Sequence, residues 1–196
     1  EQGENRGLRD LTSVAIRIPR ACPGVAQPLL EELLTEEGLH STLIISPPGG
    51  GKTTLLRDLV RLLSEGSRLA VPMRVALVDE RGELAAVHRG RPQLEVGPST
   101  DILDGCPKAV GVPMLLRAMN PQVIALDEIA LPEDGGAVLS AAGCGAAILA
   151  TAHGASVEDL RRRTVMRRLL KSGVFRKAVV IHGRGAERQC RVEELL

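Results

Sequence analysis

Apolar residues along the chain fall into short continuous runs that alternate with segments of helical spacing. Leu43-Ile44-Ile45, Val75-Ala76-Leu77-Val78, Val123-Ile124-Ala125-Leu126 and Ile148-Leu149-Ala150 are each bounded by polar or turn-forming residues. Such runs are too short for helices and too uniformly apolar for strands with one wet face, so they predict buried strands. Between them, Leu55, Leu56, Leu59, Leu62 and Leu63 recur at the spacing of one helix face, up to about Glu65-Gly66. Pro28 opens an expected helix to about Glu37, closed by Gly38, and Pro107 opens another to about Met119. Further helices are expected over 133–142 and 156–171, and strands over 12–18, 74–79, 122–127, 146–151, 174–181 and 188–192. Residues 89–105, with Pro92, Gly97 and Pro98, read as loop. Strand–helix alternation with fully apolar strands predicts an α/β fold: a mainly parallel central sheet flanked by helices, in a single domain over 1–196.

Two junctions in this pattern carry chemistry. After Leu43-Ile44-Ile45 comes Ser46-Pro47-Pro48-Gly49-Gly50-Gly51-Lys52-Thr53-Thr54, and the leucine-rich helix follows at once. This is a phosphate-binding loop between strand and helix. Backbone N–H groups converge on phosphate oxygens, Lys52 supplies positive charge, and the Thr53 hydroxyl suits Mg²⁺. The helix adds the positive end of its dipole. Ser46 stands where the usual pattern opens with Gly. A plain glycine-rich turn would share the local composition, and the flanking strand and helix decide against it.

The second junction is Val123-Ile124-Ala125-Leu126-Asp127-Glu128, an apolar strand ending in two acids. Asp127 is placed for the Mg²⁺ shell and Glu128 for a general base that activates water. The fold is therefore that of a P-loop NTPase, with ATP and Mg²⁺ as expected ligands. Strand 74–79 ends in Asp79-Glu80-Arg81, with Glu83 following. These acids either contact metal-bound water, Glu80 foremost, or form a solvated loop with Arg81 as local ion-pair partner. Thr151 and His153 end the strand over 146–151, where one of them can sense the γ-phosphate or hold water. Arg117 precedes the acidic strand and is a candidate to reach a phosphate. Arg161, Arg162, Arg163, Arg167 and Arg168 form a second such source, a contact for anionic lipid or nucleic acid, or a solvated basic face.

Composition narrows the function class. The 196 residues carry a formal net charge of +1, no Trp or Tyr, and one Phe. Neither a strong positive field nor a base-stacking platform is present, which argues against a DNA translocase or other nucleic-acid partner. No Asn-Lys-x-Asp segment occurs, which disfavours a GTPase. No apolar run approaches the roughly 20 residues that cross a bilayer. The four cysteines are scattered without metal-ligand spacing and read as reduced, mostly buried thiols.

The motif set taken together resembles the stage III sporulation protein AA family. It includes Ser46 to Asp58, Val78 to Arg81, Leu103-Asp-Gly-Cys-Pro-Lys108, Val123 to Ile129 and Ala150-Thr-Ala-His-Gly154. That family is similar to the RecA/AAA-type ATPases of type II and type IV secretion and pilus systems. The resemblance implies a cytoplasmic ATPase acting on a membrane-embedded channel or secretion complex in endospore formers, as a hexameric ring. It also implies an N-terminal region ahead of this core, so the chain is expected to be a fragment. An ATP-dependent switch or scaffold with negligible turnover is the alternative.

Overall fold

A computed structural model of the chain describes residues 12–14, 21–183 and 187–195. The chain enters through a 3₁₀ turn, Gln27–Leu29, and the short helix α1 (Leu30–Leu33). It then forms a minimal hairpin of β1 (Leu34–Thr35) and β2 (Gly38–Leu39). From there the order is β3 (Thr42–Ser46), α2 (Lys52–Glu65), β4 (Val75–Asp79), β5 (Thr100–Asp104), α3 (Lys108–Met119) and β6 (Val123–Leu126). The remainder is α4 (Pro132–Gly143), β7 (Ala147–His153), α5 (Val157–Arg161), α6 (Thr164–Ser172), β8 (Lys177–His182) and β9 (Gln189–Glu194).

Seven strands form one sheet in the order β5-β4-β6-β7-β3-β8-β9. All neighbouring pairs are parallel except β8 with β9. β7 lies between the strand that leads into the phosphate loop and the strand that leads into the acids. The α/β class expected from the pattern is the fold observed.

Alternation along each strand divides the core. Ile44, Leu77, Ala125, Leu149 and Val179 face α2 through Leu56, Leu59 and Leu63. Leu43, Ile45, Val78, Ile124, Ile148 and Phe175 face the other side, against Val112, Val138 and Leu169 of α3, α4 and α6. β3, β4 and β6 are buried along their whole length, which is why they read as uninterrupted apolar runs.

Four expectations are corrected. The helix expected to Glu37 stops at Leu33, because Thr35 Oγ1 accepts N–H bonds from Glu37 (3.1 Å) and Gly38 (2.9 Å) and closes a turn there. Within the expected loop, residues 100–104 form β5, an edge strand whose half-buried Ile102 and Leu103 give only a faint apolar signal. The helix expected over 156–171 is two helices broken at Arg162-Arg163. None of the four cysteines is buried: Cys22 and Cys144 are exposed and Cys106 and Cys190 half-exposed, each in a loop, at a helix end or on the edge strand. The strand expected over 12–18 lies mostly outside the described residues, and residues 12–14 are not in a strand.

Candidate functional site

The C-terminal ends of β3, β6 and β7 meet at one edge of the sheet, and the loop from Ser46 to Lys52 arches over it. Gly49 (φ 74°) and Gly51 (φ 100°) take backbone conformations that side chains disfavour. Ser46 is buried, and its hydroxyl folds under the loop to donate to the Pro47 carbonyl (2.8 Å). A Cβ added to Gly50 would fall on that hydroxyl. Ser46 thus occupies the space left by Gly50, which explains how the loop accepts a side chain at its first position. Pro47, Pro48 and Gly49 are exposed, while Thr53 and Thr54 are half-buried at the start of α2.

Lys52 is buried, and three acceptors surround its ammonium: the Ser46 carbonyl (3.1 Å), the Pro47 carbonyl (3.4 Å) and His153 Nδ1 (2.7 Å). Burial pulls its pKa below the ordinary lysine value, against the opposing pull of the Asp127 and Glu128 carboxylates. An ammonium has no lone pair, so His153 accepts at Nδ1 and carries its proton on Nε2. That Nε2 lies 3.2 Å from Glu128 Oε1, and Glu128 Oε2 accepts from Arg81 Nη1 at 3.2 Å. Lys52, His153, Glu128 and Arg81 therefore form one continuous chain of polar contacts.

Beside this chain, Asp127 receives two hydroxyls. Thr53 donates to its Oδ2 (3.2 Å) and the buried Thr151 to its Oδ1 (2.6 Å). Thr151 Oγ1 also accepts the Glu128 N–H (2.8 Å), and the Thr151 carbonyl accepts the Ile129 N–H (2.8 Å). These bonds hold Glu128 in a left-handed conformation, φ 43°, that costs a non-glycine residue on the order of 1 kcal/mol. The distortion aims the carboxylate back across the strand end toward His153. A hydroxyl paired with a carboxylate is an all-oxygen set suited to Mg²⁺. The open, positively polarised loop beside it suits a polyphosphate. Both expected ligands fit the residues present.

The structure thus brings together Ser46 to Thr53, Asp127, Glu128, Thr151 and His153. It does not bring Glu80 or Arg117 into that group. Glu80 stands at the same sheet edge but forms an ion pair with the buried Lys108, which also lies 4.0 Å from Asp134. Asp79 is buried and accepts N–H bonds from Glu83, Leu84 and Ala85 at 2.8–3.0 Å, so it organises the following loop. Arg81 pairs with Glu128 across the site rather than with the acids beside it in sequence. Arg117 is exposed in the last turn of α3, at the opposite edge, where β6 begins. The arginines of α5, α6 and their junction are all exposed.

The pattern described as Sporulation stage III, protein AA matches residues 1–192. The chain belongs to that family. It is 46% identical over 175 residues to stage III sporulation protein AA of Bacillus subtilis (strain 168), covering 89% of this chain and 57% of the relative. Among solved structures it resembles the ATPase DotB of Legionella pneumophila, with a TM-score of 0.59 and 20% identity over 89% of this chain and 50% of that one. It also resembles the pilus retraction motor PilT with bound ADP, with a TM-score of 0.58 and 15% identity over 92% of this chain and 53% of that one. The chain thus spans about half the length of these relatives, and at such identities the structural likeness establishes the fold. No described helix is long and apolar enough to cross a membrane.

Proposed function

We propose that this chain binds and hydrolyses Mg-ATP and works as the motor or assembly ATPase of a membrane-embedded, secretion-like complex in sporulation. The observation that carries this reading is the polar chain from Lys52 through His153 to Glu128, beside an Asp127 that takes hydroxyls from both the phosphate loop and β7. Family membership and a fold shared with DotB and PilT support it.

Loop amides cradle the α- and β-phosphates and Lys52 reaches the β- and γ-phosphates. Thr53 and Asp127 would hold the metal, which when bound neutralises charge on the phosphate oxygens. Glu128 accepts a proton from the attacking water as its oxygen bonds to the γ-phosphorus and the bond to the bridging oxygen breaks. His153 connects the two events. A phosphate that engages Lys52 competes with His153 Nδ1 for the ammonium, and the imidazole that loses this contact is the one that touches the base. Thr151 fixes both acids and acts as a positioning residue. The complex would be reached through partner proteins, with the chains arranged as a ring.

The test is Mg²⁺-dependent ATP turnover by this chain and by its Glu128→Gln variant over a wide protein concentration range. Wild-type turnover should rise more steeply than concentration if sites are completed between subunits. The variant should lose at least about 100-fold in kcat while still binding ATP. Equal rates in the two proteins would remove Glu128 from the chemistry. Tight binding without turnover would point to an ATP-dependent switch.

A further inference from the structure

Arg188, immediately before β9, is a further cation at the phosphate loop. A Cβ built on Gly51 would stand 2.6 Å from Arg188 Nη1 and 2.7 Å from its Cζ, so the guanidinium lies directly over the glycine that begins α2. Its Nε is buried and has no hydrogen-bond acceptor among the described residues. The β8–β9 connection brings it there. His182, the last residue of β8, and Glu187 line a cavity of about 420 Å³ together with Pro47, Pro48 and Gly50.

This placement is electrostatically unfavourable as it stands. The first turn of a helix carries partial positive charge and favours acids, yet Gly51 is flanked by the Lys52 ammonium and covered by a guanidinium. A buried guanidinium N–H without an acceptor adds a desolvation cost. No ion pair of Arg188 with an acid occurs among the described residues. Three sources of positive charge converging on one loop are reconciled by an anion with several oxygens, and the planar fork of arginine matches phosphate geometry.

Resting on the function proposed above, we infer that Arg188 binds the α/β-diphosphate portion of the nucleotide, in the same chain as the phosphate loop. The position follows from Gly51, whose end of the loop cradles the α- and β-phosphates. Glu128 and His153 stand on the side of Lys52 where the γ-phosphate is cleaved. Arg188 accordingly serves affinity for ATP and ADP alike, rather than the chemical step. It also makes the entry to β9 part of the nucleotide site.

The experiment is calorimetric titration of ADP and ATP into the full chain, its Arg188→Ala and Arg188→Lys variants, and Lys52→Ala, with thermal unfolding of each protein without nucleotide. Arg188→Ala should weaken ADP and ATP by similar factors, about 10- to 100-fold. Arg188→Lys should fall between, because charge is kept and the fork lost. The nucleotide-free melting temperature should hold or rise once the unsatisfied cation is gone. Unchanged ADP affinity in Arg188→Ala, with wild type binding and Lys52→Ala not, overturns the inference alone. Wild type failing to bind either nucleotide takes down the phosphate-loop reading and this inference with it.

Discussion

Lys52 shows how a single side chain can report occupation of the site. Its ammonium is buried, and burial lowers its pKa although two carboxylates oppose the shift. Between the lowered folded value and the ordinary value near 10.5, the unfolded chain holds the proton and the folded chain does not. Stability contributed by this group therefore rises with pH through that window. Nucleotide binding has the opposite sign, since phosphate oxygens favour the ammonium. Affinity for ADP should begin to fall at a pH below the ordinary lysine value of 10.5, earlier than for an exposed lysine. Lys52→Arg, always charged, should give a flatter profile even if its affinity is lower overall. Calorimetry at several pH values checks this, and parallel profiles would mean that Lys52 keeps its proton throughout. Much at this scale was legible in the amino-acid sequence. Lys52, Thr53, Asp127, Glu128, Thr151 and His153 were singled out from spacing and strand position, and they meet. Arg81 enters the sequence reading only as a local ion-pair partner in one of two alternatives, because ion-pair partners across a sheet edge leave no local pattern. Arg188 left no sequence signal, since it reaches the loop only through the return of the last hairpin.

Elements were legible in proportion to their burial. β3, β4 and β6 each lie between two neighbouring strands and show as apolar runs, whereas β5 lies at the edge with two apolar residues and reads as loop. The turn at Thr35 depends on side-chain bonding to the backbone, which overrides a helix-like stretch. The chain breaks at Arg162-Arg163, where Arg163 turns to an extended backbone with no side-chain cap. The phosphate loop joins both lessons. Its glycines were read as room for phosphate, and Gly50 proves also to be room for Ser46. Gly50→Ala should therefore lower stability by about 1–3 kcal/mol, the range for overpacking, and reduce nucleotide affinity. Ser46→Gly should be mild, and Ser46→Gly with Gly50→Ala should recover most of the loss because the methyl then enters the vacated space. Chemical denaturation of the four proteins measures this coupling. Additive losses would show that the Gly50 constraint comes from the loop backbone instead.

For the whole molecule, the phosphate loop sits where the two cores are joined. It continues β3, whose Ile44 packs toward α2 and whose Leu43 and Ile45 pack toward α3, α4 and α6. Its far side is tied to β7, the neighbouring central strand, directly through Lys52 and His153 and indirectly through Asp127, which takes hydroxyls from both Thr53 and Thr151. Nothing in this arrangement lets the loop unfold without disturbing the middle of the sheet. A ligand held there stabilises the native state by RT ln(1 + [L]/Kd), about 2.7 kcal/mol at a hundredfold excess over Kd. For a chain of this size each kcal/mol shifts the midpoint by about 2–4 °C, so saturating ADP should raise Tm by about 5–10 °C. The unfolding should remain a single transition, since both faces of the sheet share their strands. Lys52→Ala should show no rise, whatever its own starting Tm. With neither Trp nor Tyr in the chain, calorimetry or far-ultraviolet dichroism is the appropriate readout. A ligand-shifted transition accompanied by an unshifted one would mean that one face folds independently of the loop, and the coupling drawn through β3 and β7 would fail.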